Sequence, residues 1–311
     1  MSLVAVFGLA LPLMQEPGAT AAVTVKDAPE HSYVLYLPRA YTPEKRWPIL
    51  YCFSPIADGE SLEKLYRDAT EEAGWILAAS NSARNGGWPP IEAAIRALWK
   101  DTHERFSIDD RRVFTTGWSG GGRMALLFST LHPVAGAVPI GGGAAPDIDR
   151  GSRATAVFLV RGDQDKGAEQ EQAGLERRMR EEGFRFAVKR FTGGHELPSK
   201  KVAREAVRWL SAEKPEPDPE AAARALVDGL RALEKTDYPS AIPALLTAYR
   251  KGEEDVARDA RTHLSRIEAV AEELWTQARS ARGAERREML ERLRSRFEGL
   301  PIAVRAAEEL E

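Results

Sequence analysis

The chain has 311 residues, 43% hydrophobic and 29% charged, enough to bury one large core or two ordinary ones. A formal net charge of −3, with no basic stripe, gives no general attraction for nucleic acid or for an anionic membrane surface. The single cysteine, Cys52, excludes a disulfide framework and a cysteine-based zinc site, and in the apolar run Ile49–Phe53 it reads as a small buried hydrophobe.

Leu3–Met14 is apolar and leads through Glu16-Pro17-Gly18 to Ala19-Thr20-Ala21-Ala22. The run is too short to span a bilayer. Followed by small residues, it reads as the remnant of an export signal over residues 1–22, although a basic flank is missing. An early strand with a tail is the other reading. Export implies a periplasmic or extracellular protein, against a cytoplasmic one.

From there strand-like and helix-like segments alternate. Tyr33–Pro38 and Trp47–Phe53 read as strands, Glu60–Ala73 as an amphipathic helix, and Trp75–Ser80 as a short strand. Pro89–Phe106 repeats apolar residues at helical spacing, with its prolines where a helix tolerates them. Val113–Thr116 reads as a strand, Gly121–Leu131 as a helix, and Val134–Ile140 and Thr155–Val160 as strands. Glu169–Glu182 (helix), Arg185–Phe191 (strand) and Ser199–Leu210 (helix) complete the series. Such alternation predicts an α/β domain over residues 23–212, a mostly parallel sheet with helices on both faces. Its chemistry belongs in the turns at the carboxyl ends of the strands.

Composition changes at Glu213-Lys-Pro-Glu-Pro-Asp-Pro-Glu220, a stiff, solvated linker over 213–220. Residues 221–311 then read as a small all-α domain: Glu220–Lys235, Tyr238–Lys251, Glu253–Arg282, Ala284–Phe297 and Pro301–Leu310 are helical in pattern. Asp237–Leu246 partly resembles a tetratricopeptide-type repeat, but no second copy follows at a fixed period. These helices offer a surface for a protein partner and hold no catalytic constellation. His263, their lone histidine, reads as helix surface or packing.

Gly117-Trp118-Ser119-Gly120-Gly121 matches G-x-S-x-G between a predicted strand and a predicted helix, the context that makes the pattern informative. The glycines clear the sharp turn that exposes the serine, and Gly120 N–H lies at a helix N-terminus where negative charge is favoured. A serine hydroxyl needs a base. Of the five histidines, His31 precedes the first strand, while His103 and His132 sit at helix ends. His195 lies in Thr192-Gly-Gly-His-Glu-Leu-Pro198, a glycine-rich turn opening at the same sheet edge as Ser119. The base needs a carboxylate to fix its tautomer. Arg161-Gly-Asp-Gln-Asp165 offers two, Asp163 and Asp165, in the order expected after the serine; Asp163 has the alternative of tying its turn. Asp147 and Asp149 follow an earlier strand and fit less well.

Residues from about 33 to 210 resemble the α/β-hydrolase superfamily, more narrowly its dienelactone-hydrolase, feruloyl-esterase and polyhydroxybutyrate-depolymerase-like esterases. The resemblance rests on Trp47–Phe53, Gly74–Asn81, Ser107–Val113, Gly117–Arg123, Gly162–Asp165 and Gly194-His195. It covers about 60% of the chain and implies Ser119, His195 and Asp165 as the catalytic triad of a carboxylic ester hydrolase, because the group's acid turn reads G-x-x-D. No metal or cofactor is implied. The chain departs from the group at Phe53-Ser54-Pro55-Ile56, where His-Gly is common. Pro55 has no N–H, so the second oxyanion donor beside Gly120 is expected at Ile56 N–H, then Ala57 N–H, then the Ser54 hydroxyl. Trp118, Asn81 and the turn Ser82–Pro90, with Trp88, are expected to line the cleft. No inserted lid is evident between Ser119 and Asp165, which suits esters on a large, polymeric or carbohydrate-linked molecule. A serine peptidase or amidase would use the same groups. A protein that keeps the fold but binds rather than catalyses is the reading from another class.

Overall fold

The computed structural model describes residues 16–132, 134–143, 156–181, 184–212 and 218–310. Most of the 1–22 segment, most of the 213–220 linker, and Asp147 and Asp149 lie outside the described residues.

Eight strands among the described residues form one sheet in the order β1-β2-β4-β3-β5-β6-β7-β8. They are β1 (Thr20–Thr24), β2 (Ser32–Tyr36), β3 (Trp47–Phe53), β4 (Ile76–Ser80), β5 (Ile108–Trp118), β6 (Gly136–Ile140), β7 (Ala156–Gly162) and β8 (Phe186–Phe191). β4, β3, β5, β6, β7 and β8 run parallel, while β2 pairs antiparallel with β4 and β1 with β2. The central strands are buried on both faces, hence their nearly continuous apolar sequences.

The period of two assigns each face its helices. Ile49, Tyr51 and Phe53 of β3 pack with α2 (Trp88–Arg105) and α3 (Gly120–Leu127). Leu50 and Cys52 point the other way, toward α1 (Gly59–Ala73) and α5 (Lys200–Ser211). Val157 and Leu159 of β7 meet α4 (Lys166–Glu181), and Phe158 and Val160 meet α5. Local signals set the ends of α1: Asp58 accepts the Ser61 N–H as N-cap, and Gly74 closes the helix in the left-handed region at φ 67°.

Three boundaries differ from the sequence reading. β1 falls on Thr20–Thr24, so the sheet starts inside the 1–22 segment rather than at residue 23. Its small side chains carry too little hydrophobicity to announce an edge strand, and pairing with β2 makes it one. β5 begins five residues before Val113, because Asp109 is held by Arg111 and Arg112 and the charged stretch can join the sheet edge. The helix after Ser119 stops at Leu127 and ends in a 3-10 turn, Phe128–Thr130.

The remaining residues form α6 (Pro219–Glu234), α7 (Tyr238–Lys251), α8 (Glu254–Ser280), α9 (Gly283–Arg296) and α10 (Pro301–Glu308), each packed on the next around its own core. Pro219 and Glu220 belong to α6, with Asp218 as its cap, so the helix starts within the expected linker. This layer docks on α2 and on the amino end of β5. Arg96 bonds Glu272 at 3.1 Å, Arg305 reaches Glu92 at 3.3 Å, and Arg111 donates to Gly252 O at 3.0 Å.

Candidate active site

The carboxyl ends of β3, β5, β7 and β8 open at one edge of the sheet, and their turns carry the groups singled out in the sequence. Ser119 follows β5 directly, with a backbone φ of 55°. A non-glycine residue there costs about 1–3 kcal/mol, so surrounding contacts must impose it. Two of them are Ser119 N–H to Ile140 O at 2.7 Å and Gly122 N–H to Ser119 O at 2.9 Å. The close approach needs glycine twice: a Cβ on Gly117 would stand 2.1 Å from Gly121 O, and one on Gly121 would stand 2.0 Å from Phe53 O. Gly120 N–H is the first amide of α3 and has no acceptor within that helix.

His195 sits in the turn after β8. Its Nε2 lies 2.9 Å from Ser119 Oγ and its Nδ1 2.6 Å from Asp165 Oδ2. The carboxylate selects the tautomer with the proton on Nδ1, leaving Nε2 to accept the serine hydroxyl. Asp165 is buried, and its other oxygen accepts Ala168 N–H at 3.0 Å in the first turn of α4, where the helix dipole favours an anion. Asp163, the rival carboxylate, accepts Gly193 N–H at 3.1 Å. It ties the turn after β7 to the turn after β8, and Asp163 N–H to Phe191 O and Gln164 N–H to Gly193 O continue that lacing.

Beside these groups lies a cleft of about 290 Å³. Ile56, Leu62, Trp118 and Leu197 give it apolar walls, and Ser54, Asp58 and Glu196 add polar groups. Trp118 lies against the histidine, with ring centroids 5.4 Å apart. Asp58 is held below its ordinary pKa by the Ser61 hydroxyl and backbone N–H, so the cleft carries a fixed negative charge on that side. Ile56 on that lining is 70% exposed as a residue.

Several expected groups have other partners in the structure. Ile56 N–H turns onto Ser54 Oγ at 3.4 Å and Ala57 N–H onto Ser54 O at 3.3 Å, so both expected backbone donors close their own turn. Trp88 opens α2 and packs on the core beneath it rather than on the cleft. Asn81 accepts Gly59 N–H at 3.2 Å, which spends its side chain on the start of α1. Within the expected turn Ser82–Pro90 the sequence singled out no role for Asn85, whose side chain lies over Gly120. Its only signal was membership of the turn after β4, at the productive edge. The other histidines stand apart from the serine. His103 and His132 both stack on Trp99, at 3.7 and 4.1 Å, and His263 lies on α8.

No family model matches the chain. Over 107 residues it is 28% identical to "Probable feruloyl esterase C" of Aspergillus oryzae, a stretch covering 31% of this chain and 40% of that protein. The match therefore spans less than half the length of that relative. Among solved structures, a ferulic acid esterase superposes with a TM-score of 0.54 at 15% identity, covering 64% of this chain and 99% of the other. An esterase from Pyrobaculum calidifontis gives a TM-score of 0.51 at 11% identity, covering 64% and 86%. At such identities the likeness is one of fold. The parallel sheet, the turn at Ser119 and these superpositions together give the chain an α/β-hydrolase fold, followed by an all-α region.

Proposed function

We propose that the chain is a serine esterase, a carboxylic ester hydrolase acting through an acyl-enzyme. The observation that carries this is the hydrogen-bonded chain Asp165–His195–Ser119, at 2.6 and 2.9 Å, in the turns of one sheet edge. His195 Nε2 takes the proton as Ser119 Oγ attacks the ester carbon, and Asp165 stabilises the imidazolium. Gly120 N–H meets the developing oxyanion, with the dipole of α3 behind it. The imidazolium returns its proton to the departing alkoxide. Water, deprotonated by the same nitrogen, then releases the acid.

The cleft is open and apolar on its walls, which supports an ester whose acyl group or alcohol is an aryl or short aliphatic unit on a larger molecule. A feruloyl or acetyl ester of a polysaccharide fits that description, and the relative named for feruloyl esters favours the first. A location outside the cell, as the apolar run Leu3–Met14 ahead of β1 suggests, would give access to such polymers. The helical layer would then serve a protein partner.

A fluorophosphonate probe and a p-nitrophenyl acetate assay test the reading together. The protein should become labelled and should hydrolyse the ester, and Ser119→Ala should lose both. Labelling or hydrolysis that persists in Ser119→Ala would refute it.

A further inference from the structure

We propose that the side-chain amide of Asn85 is the second oxyanion donor of this site, standing in for the backbone N–H groups that the turn after β3 does not provide. The assignment rests on the serine esterase reading above and deepens it.

The turn after β3 has two candidate amide N–H groups, and each has an acceptor within that same turn. Pro55 has no N–H, Ile56 N–H points at Ser54 Oγ, and Ala57 N–H points at Ser54 O. A tetrahedral intermediate held by Gly120 N–H alone would lack the second donor on which such sites depend. The turn after the neighbouring strand β4 fills the gap. It is fixed to the first turn by Asn85 N–H to Pro55 O at 2.8 Å and by the pairing of Arg84 with Ile56. Its start is braced by Ser80 Oγ, which accepts Ser82 and Ala83 N–H. The Asn85 backbone is therefore held in place although the residue itself is exposed.

From that anchor the Asn85 side chain reaches the nucleophile's turn. A Cβ on Gly120 would stand 1.7 Å from Asn85 Oδ1 and 3.0 Å from Asn85 Nδ2, so the whole amide group borders the residue that supplies the first donor. Glycine at 120 makes this approach possible. The last torsion of asparagine is broad and nearly two-fold, so the amide can present either end. A substrate oxygen seated at Gly120 N–H selects the arrangement with Nδ2 inward, and the two donors then flank it. Nothing in this needs a new bond or an external reagent; the amide only donates to charge that forms on the former carbonyl oxygen.

Steady-state hydrolysis of p-nitrophenyl acetate at pH 8 tests the assignment in wild type, Asn85→Ala, Asn85→Asp and Ser54→Ala, with melting temperatures alongside. Asn85→Ala should lower kcat on the order of 10²–10³-fold and leave KM within about threefold, since the donor acts on the transition state. Asn85→Asp keeps the shape but, ionised, has no proton to donate, so it should fall at least as far. Melting temperatures should not move, because the side chain is exposed. Wild-type kcat in Asn85→Ala overturns the proposal. Full activity in Asn85→Asp also overturns it, because that result makes Asn85 a packing residue. A larger loss in Ser54→Ala than in Asn85→Ala overturns it in favour of the Ser54 hydroxyl. A wild-type protein that neither hydrolyses the ester nor reacts with fluorophosphonate removes the esterase reading itself, a result distinct from the other three.

Discussion

Asp163 and Asp165 stand two residues apart in one turn, and chain order alone gives either of them to His195. Their hydrogen bonds separate them. Asp165 holds Nδ1 of the ring at 2.6 Å, whereas Asp163 holds the backbone of Gly193 at 3.1 Å. Asparagine at 165 would leave Nδ1–H competing with an NH2 group for the ring and would favour the wrong tautomer. Asp165→Asn should therefore lower kcat by about 10⁴-fold, as loss of the orienting carboxylate does in such triads. Asparagine at 163 keeps an acceptor for Gly193, so Asp163→Asn should stay within about tenfold of wild type, a donor–acceptor pair there being worth about 0.5–1.5 kcal/mol. Stopped assays on the two variants decide it, and equal losses would dissolve the distinction. At this scale the sequence was informative about residue type and order: the elbow, the histidine turn and the pair of aspartates were all legible. The use of Asn85 was not, because it depends on where a turn after β4 meets a glycine in another turn. No local pattern encodes such a meeting.

The elements were legible wherever periodicity was strong. β3 runs over Trp47–Phe53 and α7 over Tyr238–Lys251, as read from the sequence, because each has sharp chemistry at its ends. β1 stood only as the second reading of the first 22 residues, since its stability comes from a partner strand rather than from its own side chains. The stack on α2 belongs to the same class of non-local fact. Trp99 of α2 stacks with both His103 and His132, and the rings of Trp99 and His132 are nearly parallel at 5°. Burial drives the His132 pKa well below its ordinary value, and the charges of Arg96, His103 and Arg261 push it the same way. In the folded protein His132 is thus neutral where the unfolded chain would protonate it. Between its folded pKa and about 6.5, unfolding takes up a proton, so stability is full above the unfolded pKa and falls as pH drops. The slope is up to about 1.4 kcal/mol per pH unit. Urea melts at pH 7.5 and pH 5.5 should show that loss in wild type, and His132→Phe, which keeps the stack without the titration, should lose less. Parallel losses in the two proteins would assign the slope elsewhere.

Across the whole molecule, composition at Glu213–Glu220 announced a boundary, and the helices beyond it were legible one by one. Their seat was not. It depends on partners far apart in sequence, such as Arg96 with Glu272 and Arg111 with the Gly252 carbonyl. Arg305 is the centre of that contact: 8% exposed, it lies over Trp275 at 4.4 Å and bridges Glu92 of α2 to Glu272 of α8. The seat has a consequence for function. It covers the amino end of β5, near Asp109–Arg112, while Ser119 leaves the carboxyl end of the same strand. Eight residues of strand from Arg111 to Ser119, at roughly 3.3 Å each, put about 26 Å between them. Groups so far apart perturb each other by less than about 0.5 kcal/mol, roughly twofold in rate, although α10 also packs on the 3-10 turn Phe128–Thr130 that continues α3. A chain ending at Ala212 should therefore keep its kcat/KM for p-nitrophenyl acetate within about that factor, while its melting temperature falls as α2 and the Arg111 region lose their cover. A large polymeric ester is the sharper probe, because loss of turnover on the polymer alone would make the helices a device for engaging substrate. A truncated protein that stays folded by circular dichroism yet loses hydrolysis of the small ester would contradict the separation of seat from site.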